Sequence, residues 1–105
     1  MVNRDELLQE MKARLAAAFG SRLRGLVLYG SEARGEATED SDIDLLVLLE
    51  GPVSLGEDLW TIINALYPLQ LEVLRPIHAM PVGAADYEAG EFALYRHAKA
   101  EGIPA

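Results

Sequence analysis

A chain of 105 residues, half of them apolar, has enough hydrophobic material for one core and too little for two, so a single domain over residues 1–105 is expected. With 17 acidic residues against 9 basic ones the net charge is −8, which disfavours the broad phosphate-backbone footprint of a protein that coats nucleic acid. The lack of cysteine excludes disulfides, thiolate metal sites and a cysteine nucleophile and suits the reducing cytoplasm; the charged opening MVNRDELLQEMKARL has no signal-peptide character, and no apolar run reaches membrane-spanning length.

Leu7, Leu8, Met11, Leu15, Ala18 and Phe19 recur at spacings of three and four, predicting an amphipathic helix from about Asp5 to Ala18 that stops at Gly20. The run RGLVLY, Arg24 to Tyr29, is short, branched and bounded by glycine, as a buried strand ending at Gly30 should be. SEARGEATEDS is polar and turn-rich. DIDLLVLLE, Asp42 to Glu50, predicts a second strand whose apolar middle is covered on both faces and whose first residues carry carboxylates. GPVSLGED closes it and opens a helix with Ser54 or Gly56 near the cap. Trp60, Ile62, Ile63, Leu66 and Tyr67 continue that helix to Pro68, which must kink it or start a new one. LQLEVLRP is ambiguous: Leu69, Leu71 and Val73 alternate as in a strand, whereas Tyr67, Leu71 and Leu74 fit a helical face. Helix to about Leu74, then a third strand from Ile77 to Val82, fits best because Arg75-Pro76 makes a good boundary. A last amphipathic stretch, Ala85 to about Glu101, can turn Tyr87, Phe92, Leu94, Tyr95 and Ala98 inward. The order α, β, turn, β, α, β, α predicts an α/β (α+β) fold of two layers, a small mixed sheet backed by helices.

Asp42 and Asp44 stand two apart at the start of an apolar strand, so both carboxylates emerge on one face. Two like charges side by side repel unless a cation sits between them, and a hard divalent cation is the commonest one. An Asp-x-Asp pair alone is equally the mark of a solvated strand end. Gly30-Ser31 follows the first strand directly, where a glycine lets backbone approach a ligand and a serine hydroxyl with adjoining N–H groups can donate to phosphate oxygens. By itself Gly-Ser is an ordinary turn, and Arg34-Gly35 a surface turn with a solvated arginine. At neighbouring strand ends the elements reinforce one another, and an acidic chain can bind ATP when the cation carries the charge.

The string LYGSEARGEATEDSDIDLLV resembles the signature of the nucleotidyltransferase superfamily that includes polymerase-β-like enzymes, in particular the minimal nucleotidyltransferases, with Gly30, Ser31, Ala33, Arg34, Gly35, Ser41, Asp42 and Asp44 all matching. The ending FALYRHAKAEGI is similar to the terminal helix of such proteins. The resemblance implies a nucleotidyltransferase-like fold and transfer of a nucleoside monophosphate, AMP from ATP foremost, to an acceptor hydroxyl with release of pyrophosphate. It implies Mg²⁺ on Asp42 and Asp44, phosphate contacts from Gly30, Ser31 and Ser41, and for Arg34 either turn architecture or a phosphate contact.

The family pattern usually has a third carboxylate on the next strand. Aligning IHAMPV with that strand puts His78 there, able to act as base near neutral pH but a poor Mg²⁺ ligand beside carboxylates. Glu72 takes the role instead if LQLEVLR is the strand. Plainer readings are a helix-surface glutamate and a strand histidine with no part in chemistry. A domain of this size lacks the extra domain with which larger relatives hold an acceptor, so the resemblance implies an acceptor on another chain, a HEPN-type helical toxin that the antitoxin adenylylates. The competing readings are an inert module that neutralises its partner by contact and an enzyme acting on a small molecule such as an aminoglycoside.

Overall fold

The N-terminal helix owes its start to Asn3, whose side-chain oxygen accepts from the Glu6 N–H at 2.8 Å while its amide donates to the Glu6 carboxylate at 3.2 Å. In the computed structural model, which describes residues 3–38 and 40–105, this helix is α1 (Arg4–Phe19), and Leu7, Leu8, Met11 and Leu15 form its buried stripe. A 3-10 turn at Gly20–Arg22 leads into β1 (Leu23–Tyr29), and after the polar loop comes β2 (Ile43–Leu49). Then follow α2 (Leu55–Glu72), β3 (Ile77–Gly83), α3 (Ala84–Ala89), α4 (Ala93–Glu101) and a two-residue β4 (Ile103–Pro104).

The strands make one mixed sheet in the order β3-β2-β1-β4. β1 and β2 run antiparallel with Tyr29 opposite Asp44, whereas β2 and β3 run parallel with Asp44 opposite His78, the connection being made by α2. Alternation along the strands divides the core. Leu26, Leu28, Leu45, Val47 and Leu49 pack beneath α1 and α2 with Met11, Leu15, Ile62, Leu66 and Leu69. Val27, Leu46 and Val82 face the other way and meet Tyr87 of α3 and Ala98 of α4. The sheet is backed by α1 and α2 as expected, and the short C-terminal helices add a smaller cluster on its second face, which is why β2 reads as an unbroken apolar run. A fully buried leucine is worth roughly 1.5–3 kcal/mol. This core therefore tolerates the repulsion of two aspartates at the mouth of β2, a like-charge effect below about 1 kcal/mol at a wet strand end.

Of the two possibilities at Pro68, the start of a new helix is ruled out: α2 runs through the proline, which faces solvent while Leu66 and Leu69 on either side are buried. LQLEVLR forms no strand, as the Arg75-Pro76 boundary led one to expect: α2 continues to Glu72, and the alternative that would have brought Glu72 to the site falls. One expectation needs correction. The stretch from Ala85 to Glu101 is two helices broken at Gly90, which caps α3 at φ +65°, and the break leaves Phe92 and Leu94 exposed instead of packed inward. Among the described residues no helix is long and apolar enough to cross a membrane.

Candidate active site

The site lies where β1 ends beside the start of β2. At Gly30, φ +75°, the chain leaves the sheet and closes a turn in which Arg34 N–H donates to Gly30 O at 3.2 Å, Gly35 N–H to Glu32 O at 3.3 Å and Glu36 N–H to Ser31 O at 2.9 Å. The N–H groups of Ser31, Glu32 and Ala33 make no such bond among the described residues. They remain available to an anion. The Asp44 carboxylate lies against Gly30: a Cβ built on that glycine would fall 2.5 Å from Asp44 Oδ2. Positive φ and this close approach both demand glycine.

Asp42 immediately precedes β2, its Oδ2 3.4 Å from Nδ1 of His78. Because Asp44 and His78 are register partners, the imidazole and both carboxylates gather at one strand end, on the face that carries Leu46 and Val82 further along. Tyr29, opposite Asp44, is half-buried there; burial, then the Asp44 charge, pushes its phenol above the ordinary value of 10.0. A groove of about 440 Å³ is lined by Tyr29, Asp44 and His78 together with Ile63 and Tyr67 of α2 and Met80 of β3.

Gly30, Asp42, Asp44 and His78 thus come together. Ser31 stands at the head of the turn. Arg34 pairs with Glu36, whose hydrogen bond and charge raise the guanidinium's pKa, so its side chain serves the turn in this state. The Ser41 hydroxyl accepts from Thr38 N–H at 2.9 Å and shapes the loop before Asp42. Glu72 is apart from this group, exposed at the last residue of α2, and the strand that would have brought it in does not exist.

Arg75 was seen in the sequence only as a boundary beside proline, yet its guanidinium fastens the site. Nε donates to Ser41 O at 2.7 Å and Nη1 to the Glu32 carboxylate at 2.6 Å, with both side chains four-fifths buried. The two ends of the β1–β2 loop, one carrying Gly30-Ser31 and the other Asp42, are tied through one residue that leads into the strand of His78. Glu32 and Arg75 are 43 positions apart, and no periodicity links them.

No group of three His, Cys, Asp or Glu side chains among the described residues is arranged to hold a metal. Mg²⁺ commonly takes one or two carboxylates from protein and the rest of its oxygens from phosphates and water, so Asp42 and Asp44 suit it as a pair completed by a nucleotide.

Residues 4–82, from α1 through nearly all of β3, match the family described as nucleotidyltransferase domain. The chain belongs to that family. Three proteins of Methanocaldococcus jannaschii, each named "putative protein adenylyltransferase", are similar to this nucleotidyltransferase domain. They are 36% identical over 47 residues (45% of this chain, 47% of the relative), 33% over 70 residues (66% and 71%) and 50% over 44 residues (42% and 27%). The matched stretch spans less than half the length of two of them. The fold is similar to that in a crystal structure described as a putative nucleotidyltransferase from Sulfolobus solfataricus, with a TM-score of 0.56 at 17% identity over 78% of this chain and 71% of that one.

Proposed function

We propose that this nucleotidyltransferase domain transfers AMP from ATP to a hydroxyl of a partner protein. The observation that carries the reading is the Asp44 carboxylate seated against Gly30 with Asp42 two residues before it, two carboxylates at the foot of a turn whose Ser31, Glu32 and Ala33 N–H groups make no backbone hydrogen bond among the described residues. The three similar proteins named as protein adenylyltransferases support a protein acceptor.

The Ser31, Glu32 and Ala33 amides and the Ser31 hydroxyl hold the terminal phosphates, and Ser41 shapes the far end of the same loop. Mg²⁺ bound by Asp42 and Asp44 would neutralise charge on the α-phosphate and the departing pyrophosphate. The acceptor oxygen bonds to the α-phosphorus as the bond to the bridging oxygen breaks, and pyrophosphate leaves with that electron pair. The hydroxyl proton passes to Nε2 of His78, whose Nδ1 faces Asp42. A HEPN-type helical toxin is the acceptor proposed from the resemblance in the motif, which makes the domain the antitoxin of a cytoplasmic pair. Incubation of the two proteins with ATP and Mg²⁺ should add one adenylyl mass to a partner hydroxyl residue in intact-mass and peptide spectra. Asp44→Asn should abolish the adduct; an adduct of equal yield with that variant contradicts the mechanism.

One observation favours a second reading: His78 stands where a third carboxylate is usual, leaving two anionic ligands. In that reading the domain neutralises its partner by contact alone, and neutralisation survives Asp42→Asn with Asp44→Asn.

A further inference from the structure

Large apolar side chains left in solvent are concentrated on one surface. Of the nine exposed among the described residues, seven lie on α2, the turn after it or β3. Trp60, Ile63, Tyr67 and Leu71 follow spacings of three and four along α2, and Leu74 lies in the turn just beyond its end, with Trp60 68% and Leu74 99% exposed. This is a second apolar stripe on a helix whose first stripe, Ile62, Leu66 and Leu69, already faces the core. From Trp60 to Leu71 it extends roughly 16 Å, about three helical turns. Ile63 and Tyr67 belong both to the stripe and to the groove that Asp44 and His78 line, so whatever covers the stripe ends beside the site.

We propose that this stripe docks an amphipathic helix of the acceptor protein, apolar on the contact face and flanked by lysine or arginine. The proposal rests on the protein-acceptor reading and names the surface that presents the acceptor. Spacings of three and four are what a packed helix fills, ridge into groove. The charges fix the flanks: α2 carries exposed Glu57 and Glu72 and no basic residue, Asp58 being buried against Arg22, in a chain of net charge −8. A second copy of the chain would set acidic residues against acidic ones, whereas a basic-flanked helix meets them with opposite charge.

Trp60 is the only tryptophan, so its emission reports on the stripe directly. Two four-turn helical peptides with the same leucine face, one flanked by lysine and one by glutamate, are titrated into the full chain. The lysine peptide should shift Trp60 emission to the blue and bind at least about tenfold more tightly than the glutamate peptide. Leu71→Glu with Leu74→Glu should lose that binding about tenfold or more while circular dichroism and Mg²⁺-dependent ATP binding stay unchanged, both side chains being exposed. No emission shift with either peptide, or equal affinity for both, overturns the proposal. A free chain that dimerises in sedimentation and becomes monomeric with Leu71→Glu assigns the stripe to a second copy and overturns it as well. Failure of wild-type ATP binding with peptide docking intact counts against the nucleotidyl-transfer reading alone.

Discussion

Gly30 is held at φ +75° with the Asp44 carboxylate against it, so a methyl group there meets a backbone penalty and displaces that carboxylate at once. Gly30→Ala is expected to cost about 1–3 kcal/mol of stability and to lose Mg²⁺-dependent ATP binding. Denaturant unfolding and calorimetry on the same variant check both effects, and a folded variant with native ATP affinity speaks against the site. In the proposed mechanism His78 takes the proton. His78→Ala should lower transfer on the order of a hundredfold with ATP affinity unchanged, while His78→Asp should tighten Mg²⁺ binding by restoring a third carboxylate. Unchanged transfer in the alanine variant makes His78 an ordinary strand residue. At this scale Gly30, Asp42 and Asp44 were legible because each has a chemical reason for its type at its position. Arg75 and Glu32 were not: an ion pair closed by tertiary folding leaves no local spacing to read.

Elements were legible where their period was single-valued, as in α1, β1 and β2. LQLEVLR carried two periods, and tertiary contact decided between them. Leu69 is buried against the sheet, and Gln70 builds the turn that follows, donating to Val73 O at 3.2 Å and Arg75 O at 3.0 Å and accepting from Ile77 N–H at 2.8 Å. The break at Gly90 was missed because Tyr87, Phe92, Leu94, Tyr95 and Ala98 suggest one continuous face, although glycine's access to positive φ ends α3 there. Arg75 is the joint between elements. Arg75→Lys keeps the charge but not the two-directional fork, so ATP affinity should fall several-fold with little change in melting temperature, and Arg75→Ala should fall further. Equal ATP affinity in all three proteins would mean that the brace does not position the site. At the start of α2, Arg22, by hydrogen bond and charge, and the Ser54 N–H hold the Asp58 carboxyl below its ordinary value of 3.8 against the opposing effect of burial. A depressed folded pKa means stability present above 3.8 and lost as pH falls through the folded value. Asp58→Asn should therefore lower the melting temperature at neutral pH, and the gap from the native chain should close in acid. A gap independent of pH contradicts this assignment.

Across the whole molecule, a sheet with apolar interiors on both faces carries its polar chemistry at one end. There an antiparallel partner supplies the turn and a parallel partner supplies the histidine. The net charge of −8 would repel a free nucleoside triphosphate, so in the proposed reading the divalent cation is a condition of binding and not merely of catalysis. That dependence is the central claim in its most direct form. Calorimetric titration of ATP into the chain should give binding with Mg²⁺ present and essentially none with the cation chelated, and Asp42→Asn with Asp44→Asn should remove the Mg²⁺-dependent part while the thermal melt stays cooperative. Equal ATP affinity with and without Mg²⁺, or native affinity in the double variant, would contradict the assignment of these two carboxylates as the metal-binding pair.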